Sequence, residues 1–170
     1  MLNSNHLIGF GASAASTPAI TGMKIWGSNN SGYSNYEGTT ISPVLKASNT
    51  DPTGSGWSGT TIGSISPFSN TWATNYKETL GNANTTRYRY VWLELNLSGA
   101  DLPFVCEAEF YQTLNGVESA ISPSGLTKIT SNFTLNLSNF ADGNTNQNGA
   151  NSTYNTGAQS VARCGLDLGA

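Results

Sequence analysis

The sequence predicts one all-β domain, a sandwich of two packed sheets. Three observations point that way. Apolar and polar residues alternate with a period of two in several short runs. Turn-forming text rich in Gly, Asn and Ser separates the runs. Helical periodicity is not found. The chain has 170 residues, 37% of them hydrophobic and 10% aromatic, which is enough to build one real core. No linker divides it, so residues 1–170 are read as a single domain.

The elements follow in order. Met23-Lys24-Ile25-Trp26 and Val44-Leu45-Lys46-Ala47 read as strands. In residues 87–97, Val91, Leu93, Leu95 and Leu97 share one face and Tyr88, Tyr90, Trp92 and Glu94 the other. The leucine face belongs to the core. The aromatic face is either a second packed layer or a partly exposed wall. Residues 105–111, 133–137 and 164–168 read as further strands. Asp51-Pro52-Thr53-Gly54-Ser55-Gly56 and Asp142-Gly143-Asn144 supply turns, and residues 144–157 read as a long surface loop.

Composition excludes several functions. The net charge is −3 with no Lys/Arg cluster, so no nucleic-acid partner is expected. No apolar run reaches membrane-spanning length, and residues 1–10 lack the basic and apolar regions of a secretory signal. Sequons such as Asn84-Thr85-Thr86 and Asn132-Phe133-Thr134 are then by-products of composition. The only histidine is His6, so neither a Ser-His-Asp nor a Cys-His set can be assembled, and no enzyme is expected. Glu107 and Glu109 share a strand face but read as structural. Cys106 and Cys164 are either two buried thiols or one disulfide.

Three blocks, in order, resemble the discoidin or coagulation-factor C-terminal type of galactose-binding-like domain. They are Ile20-Thr21-Gly22-Met23-Lys24-Ile25-Trp26-Gly27-Ser28-Asn29, Tyr88-Arg89-Tyr90-Val91-Trp92-Leu93 and Cys106-Glu107-Ala108-Glu109-Phe110-Tyr111. Residues 19–111 resemble the later part of that domain. Its opening part is matched at the other end, within residues 132–170: Asn139-Phe140-Ala141-Asp142-Gly143-Asn144-Thr145 is similar to its first loop, and Gly165-Leu166-Asp167-Leu168-Gly169 to the strand after it. The resemblance implies a jelly-roll sandwich with circularly permuted strand order. Two other readings stay open: exchange of the C-terminal half between protomers, and chance matches in Gly/Asn-rich text.

The resemblance also implies ligands. Members of this family hold a structural calcium, and the matching positions here are Glu107 and Asp142, with Asn144 and Thr145 as further oxygen donors. No other cofactor is required. Glycan binding would use the loop aromatics Tyr33, Tyr36, Trp72 and Tyr76, with Arg87 donating to hydroxyls. Trp26 and Trp57 fall at packing positions. Charged residues make up only 10%, and an Asn/Thr/Ser/Gly surface of that kind is common in bacteriophage capsid, decoration and fibre proteins. The expected function is therefore a non-enzymatic virion structural protein, a capsid decoration or cement protein or a tail or fibre component. Its partners would be other virion proteins or copies of itself, with adhesion to a cell-surface glycan as an added activity. The alternative is a stand-alone carbohydrate-binding module or lectin.

Overall fold

A computed structural model describes residues 19–26, 40–69, 75–79, 84–101, 104–105, 107–114, 116–131, 137–144, 153–154 and 159–169. The strands are β1 (Ile20–Trp26), β2 (Thr40–Ser48), β3 (Thr60–Ser64), β4 (Phe68–Ser69), β5 (Asn75–Thr79), β6 (Tyr90–Asp101), β7 (Phe104–Val105), β8 (Glu107–Leu114), β9 (Val117–Ala120), β10 (Thr127–Ser131), β11 (Thr153–Tyr154) and β12 (Gln159–Asp167). A single 3-10 turn spans Leu137–Asn139. One sheet has the order β5-β1-β8-β9, and the other has β10-β12-β6-β2-β3 with β4 also paired to β2. β11 and β7 form a separate ribbon. Every pairing is antiparallel.

Alternation explains why the two sheets face each other. Ile41, Leu45 and Ala47 of β2 and Val91, Leu93 and Leu95 of β6 point inward. Ala162, Cys164 and Leu166 of β12 join them, and across the interface stand Ile20, Met23, Ile25, Ala108 and Phe110. Together they form one continuous core, the arrangement of a β-sandwich. Cys164 is a free, buried thiol, so it is not bonded to Cys106, which lies outside the described residues. Burial pushes that thiol far above its ordinary pKa, and it acts as a small apolar core residue.

The other face of β6 is a packed layer as well. Trp92 is fully buried, and Tyr90 and Ile129 pack with it. Trp57 closes this satellite core from the turn at 52–56, meeting Trp92 edge to face at 5.7 Å between ring centroids. The turn is pinned by the Trp57 N–H to the Pro52 carbonyl and by Asp51, which accepts from the Thr53 backbone and hydroxyl. Trp57 takes a left-handed φ of 63° to reach its place. Gly165 stands opposite Trp92 across the β12–β6 pair. A Cβ there would sit 2.1 Å from the Val91 carbonyl oxygen and 2.5 Å from the Trp92 Cβ.

Several elements differ from the sequence reading. β6 starts at Tyr90, so Tyr88 precedes the strand. The expected strand at 133–137 is not formed at its end, because Leu137 opens the 3-10 turn; residues 132–136 lie outside the described residues. The expected loop at 144–157 contains β11, which pairs with β7. Both chain ends, and with them the separation expected of a permuted domain, lie outside the described residues. β12 itself pairs with β10 and β6 of its own chain. Among the described residues, no helix is long and apolar enough to cross a membrane.

The glycine contact is testable. Gly165→Ala should lower stability by about 3 kcal/mol, since rigid backbone cannot yield to the added methyl. Gly54→Ala, where nothing lies within 4 Å, should stay within about 0.5 kcal/mol. Urea unfolding of both variants measures the difference.

Candidate functional site

Glu107 begins β8 and is fully buried. A buried carboxylate needs donors, and the chain supplies three backbone N–H groups. Ala108 donates to Oε1 at 2.9 Å; Asp142 and Gly143 donate to Oε2 at 3.0 and 2.8 Å. The last two come from a loop 35 and 36 residues further along the chain. That loop is anchored in the core by Phe140 and Ala141, and Ala141 has a left-handed φ of 53°. Asp142 then accepts from the Asn144 N–H at 2.8 Å, the side-chain-to-backbone turn expected of Asp-Gly-Asn. Burial raises the Glu107 carboxyl to about 7, against the pull of the N–H donors from Gly143 and Ala108, and Asp142 raises it further.

Lys128 completes the surroundings. It stands on β10 opposite Leu166 of β12, so its side chain points into the sandwich. Its ammonium donates to the Ser138 carbonyl at 2.7 Å. With Ala141, Asp142 and Pro123 it lines a recess of about 310 Å³.

The structure brings the Asp142 backbone to the Glu107 carboxylate, but the donors among the described residues do not make up a calcium cage. Calcium takes six to eight oxygens. Three of the roughly four lone-pair positions of Glu107 already hold N–H donors. Asn144 contributes its N–H to Asp142. Among the described residues, no group of three or more His, Cys, Asp or Glu converges, and Thr145 lies outside them.

A second buried carboxylate belongs to the outer face of β6. Glu94 lies between Arg163, whose Nε reaches Oε2 at 2.7 Å, and Lys46, whose Nζ reaches Oε1 at 3.0 Å. Arg163 is directly opposite Glu94 across the strand pair and also covers the Trp57 ring at 5.9 Å. Burial alone would raise the Glu94 carboxyl; the hydrogen bonds from Arg163 and Lys46 outweigh it and hold the group below its ordinary value. Glu109 accepts from the Tyr111 hydroxyl two residues along β8. Arg89 grips Asp167 with two bonds of 2.9 Å.

The expected glycan residues fall only partly within the described residues. Tyr33, Tyr36 and Trp72 lie outside the described residues. Tyr76 falls in β5, paired with Ile25 of β1. Arg87 is exposed beside Asn84, Thr85, Thr21 and Thr113. The Asn84 amide donates to the Ile20 carbonyl at 2.7 Å and is occupied in structure. An open, polar cleft of about 520 Å³, lined by Tyr88, Ser48, Asn49, Thr50, Ser55 and Ser58, lies elsewhere. Comparison of the chain with family models, with curated proteins and with solved structures gave no match.

The Glu94 cluster sets a pH dependence. A carboxyl held below its unfolded value of 4.5 stabilises the native state above that pH. The contribution is lost as pH falls through the lower, folded value. Glu94→Gln should cost about 2 kcal/mol at neutral pH. It should also flatten the loss of stability as the pH falls below about 4.5. Urea titrations across that range check both effects.

Proposed function

We propose that the domain is a non-enzymatic structural protein that acts through protein–protein contacts at a sheet edge. The observation that carries this reading is β9. It is the outermost strand of its sheet, it is only four residues long, and Val117 on it is 66% exposed. An open ladder edge bearing an exposed apolar side chain is suited to pairing with another chain. The described buried carboxylates are engaged in structural contacts, Glu107 with a loop and Glu94 with two basic residues, which agrees with a non-catalytic role. The low charge content favours burial against partners, because few ions are stranded. A virion, as a capsid decoration or cement protein or a tail or fibre component, is the setting this composition suggests, with other virion proteins or copies of the chain as partners.

We read the sandwich as a jelly roll of discoidin type with permuted strand order. Two contacts support this. The Asp142 loop joins Glu107, and Asp167 of the C-terminal strand joins Arg89, so each links a block of residues 132–170 to a block of residues 19–111. The second functional reading, a stand-alone glycan-binding module, is favoured by the cleft at Tyr88, where one aromatic side chain stands among hydroxyl and amide groups.

Light scattering across a concentration series tests the first reading. The wild type should associate, and Val117→Lys should shift the midpoint of association at least about tenfold, equivalent to 1.4 kcal/mol. A wild type that stays monomeric and is not recovered with particles overturns it. Glycan-array binding that is lost in Tyr88→Ala would establish the lectin reading instead.

A further inference from the structure

Strand β9 closes the β5-β1-β8-β9 sheet, and among the described residues no strand lies beyond it. Its pairing with β8 fixes which way each backbone group points. Tyr111 stands against Ala120, Gln112 against Ser119, Thr113 against Glu118 and Leu114 against Val117. One step further along the same ladder, the Ile121 N–H donates to the Phe110 carbonyl at 2.8 Å. Main-chain groups alternate in direction along an antiparallel strand. Val117, Ser119 and Ile121 therefore turn theirs toward β8, and Glu118 and Ala120 turn theirs outward. Side chains alternate too, so Val117, Ser119 and Ile121 share a face, and Ile121 packs against the core on it. Val117 overhangs that face and is 66% exposed, the one large apolar side chain so placed among the described residues. At the far end of the strand, Ala120, Ile121 and Pro123 line a recess of about 150 Å³ that also touches Phe110 and Leu166. One strand thus carries both an apolar knob and an apolar hollow.

We infer that a second copy of this chain adds its β9 antiparallel to β9, about a two-fold axis at Ser119, with Val117 of each copy set against Ile121 of the other. The pairing rests on the sheet-edge contact proposed for the domain, and it names the partner and the register. Symmetry leaves few choices. Opposed residues of an antiparallel pair share a face, so a two-fold axis normal to the sheet must pass where a residue faces its own copy. In a strand running only from Val117 to Ala120, the central positions are Glu118 and Ser119. An axis at Glu118 would set two carboxylates directly against each other, which is destabilising, and would leave Val117 opposite Ser119. The axis at Ser119 sets Glu118 against Ala120 instead, and the outward N–H and carbonyl groups of these two bond in reciprocal pairs. It also brings Val117 to Ile121, beside the recess, in the closer non-hydrogen-bonded kind of pair. Gly116, with a φ of 80°, turns the chain at one end of the paired stretch, and Pro123, which has no N–H, ends it at the other. Because the same patch meets itself, the contact closes as a dimer and leaves no β9 edge over.

Disulfide trapping of the whole chain reads the axis directly. Under a mild oxidant, at a concentration where the wild type scatters as a dimer, Ser119→Cys should become a covalent dimer. Residues that face their own copies in a non-hydrogen-bonded pair lie about 4.5 Å apart at Cα, within disulfide reach. Glu118→Cys should stay at the wild-type background, because its two copies stand out of register, beyond about 7 Å. In the wild type, amide exchange at Glu118 and Ala120 should slow at least about tenfold as the protein is concentrated through its association midpoint, with Ser119 unchanged. That measurement needs no substitution, so it decides where a variant fails to fold. Trapping of Glu118→Cys, or no trapping of folded Ser119→Cys, overturns the inference, and so does exchange at Glu118 and Ala120 that ignores concentration. A wild type that stays monomeric yet is recovered with particles also overturns it, while leaving the sheet-edge contact with other proteins standing.

Discussion

Strand β6 is buried on both faces, and the remaining architecture is arranged around that requirement. Its leucine face meets the opposing sheet through Met23, Ile25 and Phe110. Among the described residues its aromatic face is covered by single side chains. Trp57 arrives from a turn, Ile129 from β10, Gly59 leaves room for the edge of the indole, and Gly165 leaves room for the Trp92 backbone and Cβ. The polar end of that face is closed by charge, with Glu94 between Arg163 and Lys46. Burial on both sides is the condition under which a strand is held most firmly, because neither face can slip register without exposing apolar area.

The loop at residues 140–144 is held by a different logic. Apolar anchorage comes first: Phe140 and Ala141 enter the core. Their burial delivers the Asp142 and Gly143 N–H groups to Glu107, which would otherwise be an uncompensated buried carboxylate. Each part answers the needs of the other. The loop gives up two backbone donors that require an acceptor, and the strand offers an acceptor that requires donors. Lys128 of β10 donates to the Ser138 carbonyl in the 3-10 turn that precedes the loop. The site is thus a joint between segments distant in the chain, and its electrostatics serve closure of the sandwich.

The two buried carboxylates have opposite environments. Glu94 keeps its charge because two cations touch it, while burial pushes Glu107 up to about 7 against the pull of its backbone N–H donors, with Asp142 adding to the rise. Both roles are architectural.

Much of this was legible in the sequence. The period-two pattern marked β1, β2, β6, β8 and β12, because side-chain alternation is a local property of an extended chain. Asp-Gly-Asn and Asp-Pro-Thr-Gly announced their turns for the same local reason. Lys128 was not legible. In Thr127-Lys128-Ile129-Thr130-Ser131 the ordinary reading turns Ile129 inward and Lys128 outward. The structure does the reverse, because the outer face at this point is the Trp92 cluster and Lys128 shares the face of Leu166. Local alternation determines that two neighbours lie on opposite faces. Which face is apolar depends on what the rest of the chain brings to each side, and only the tertiary structure decided that.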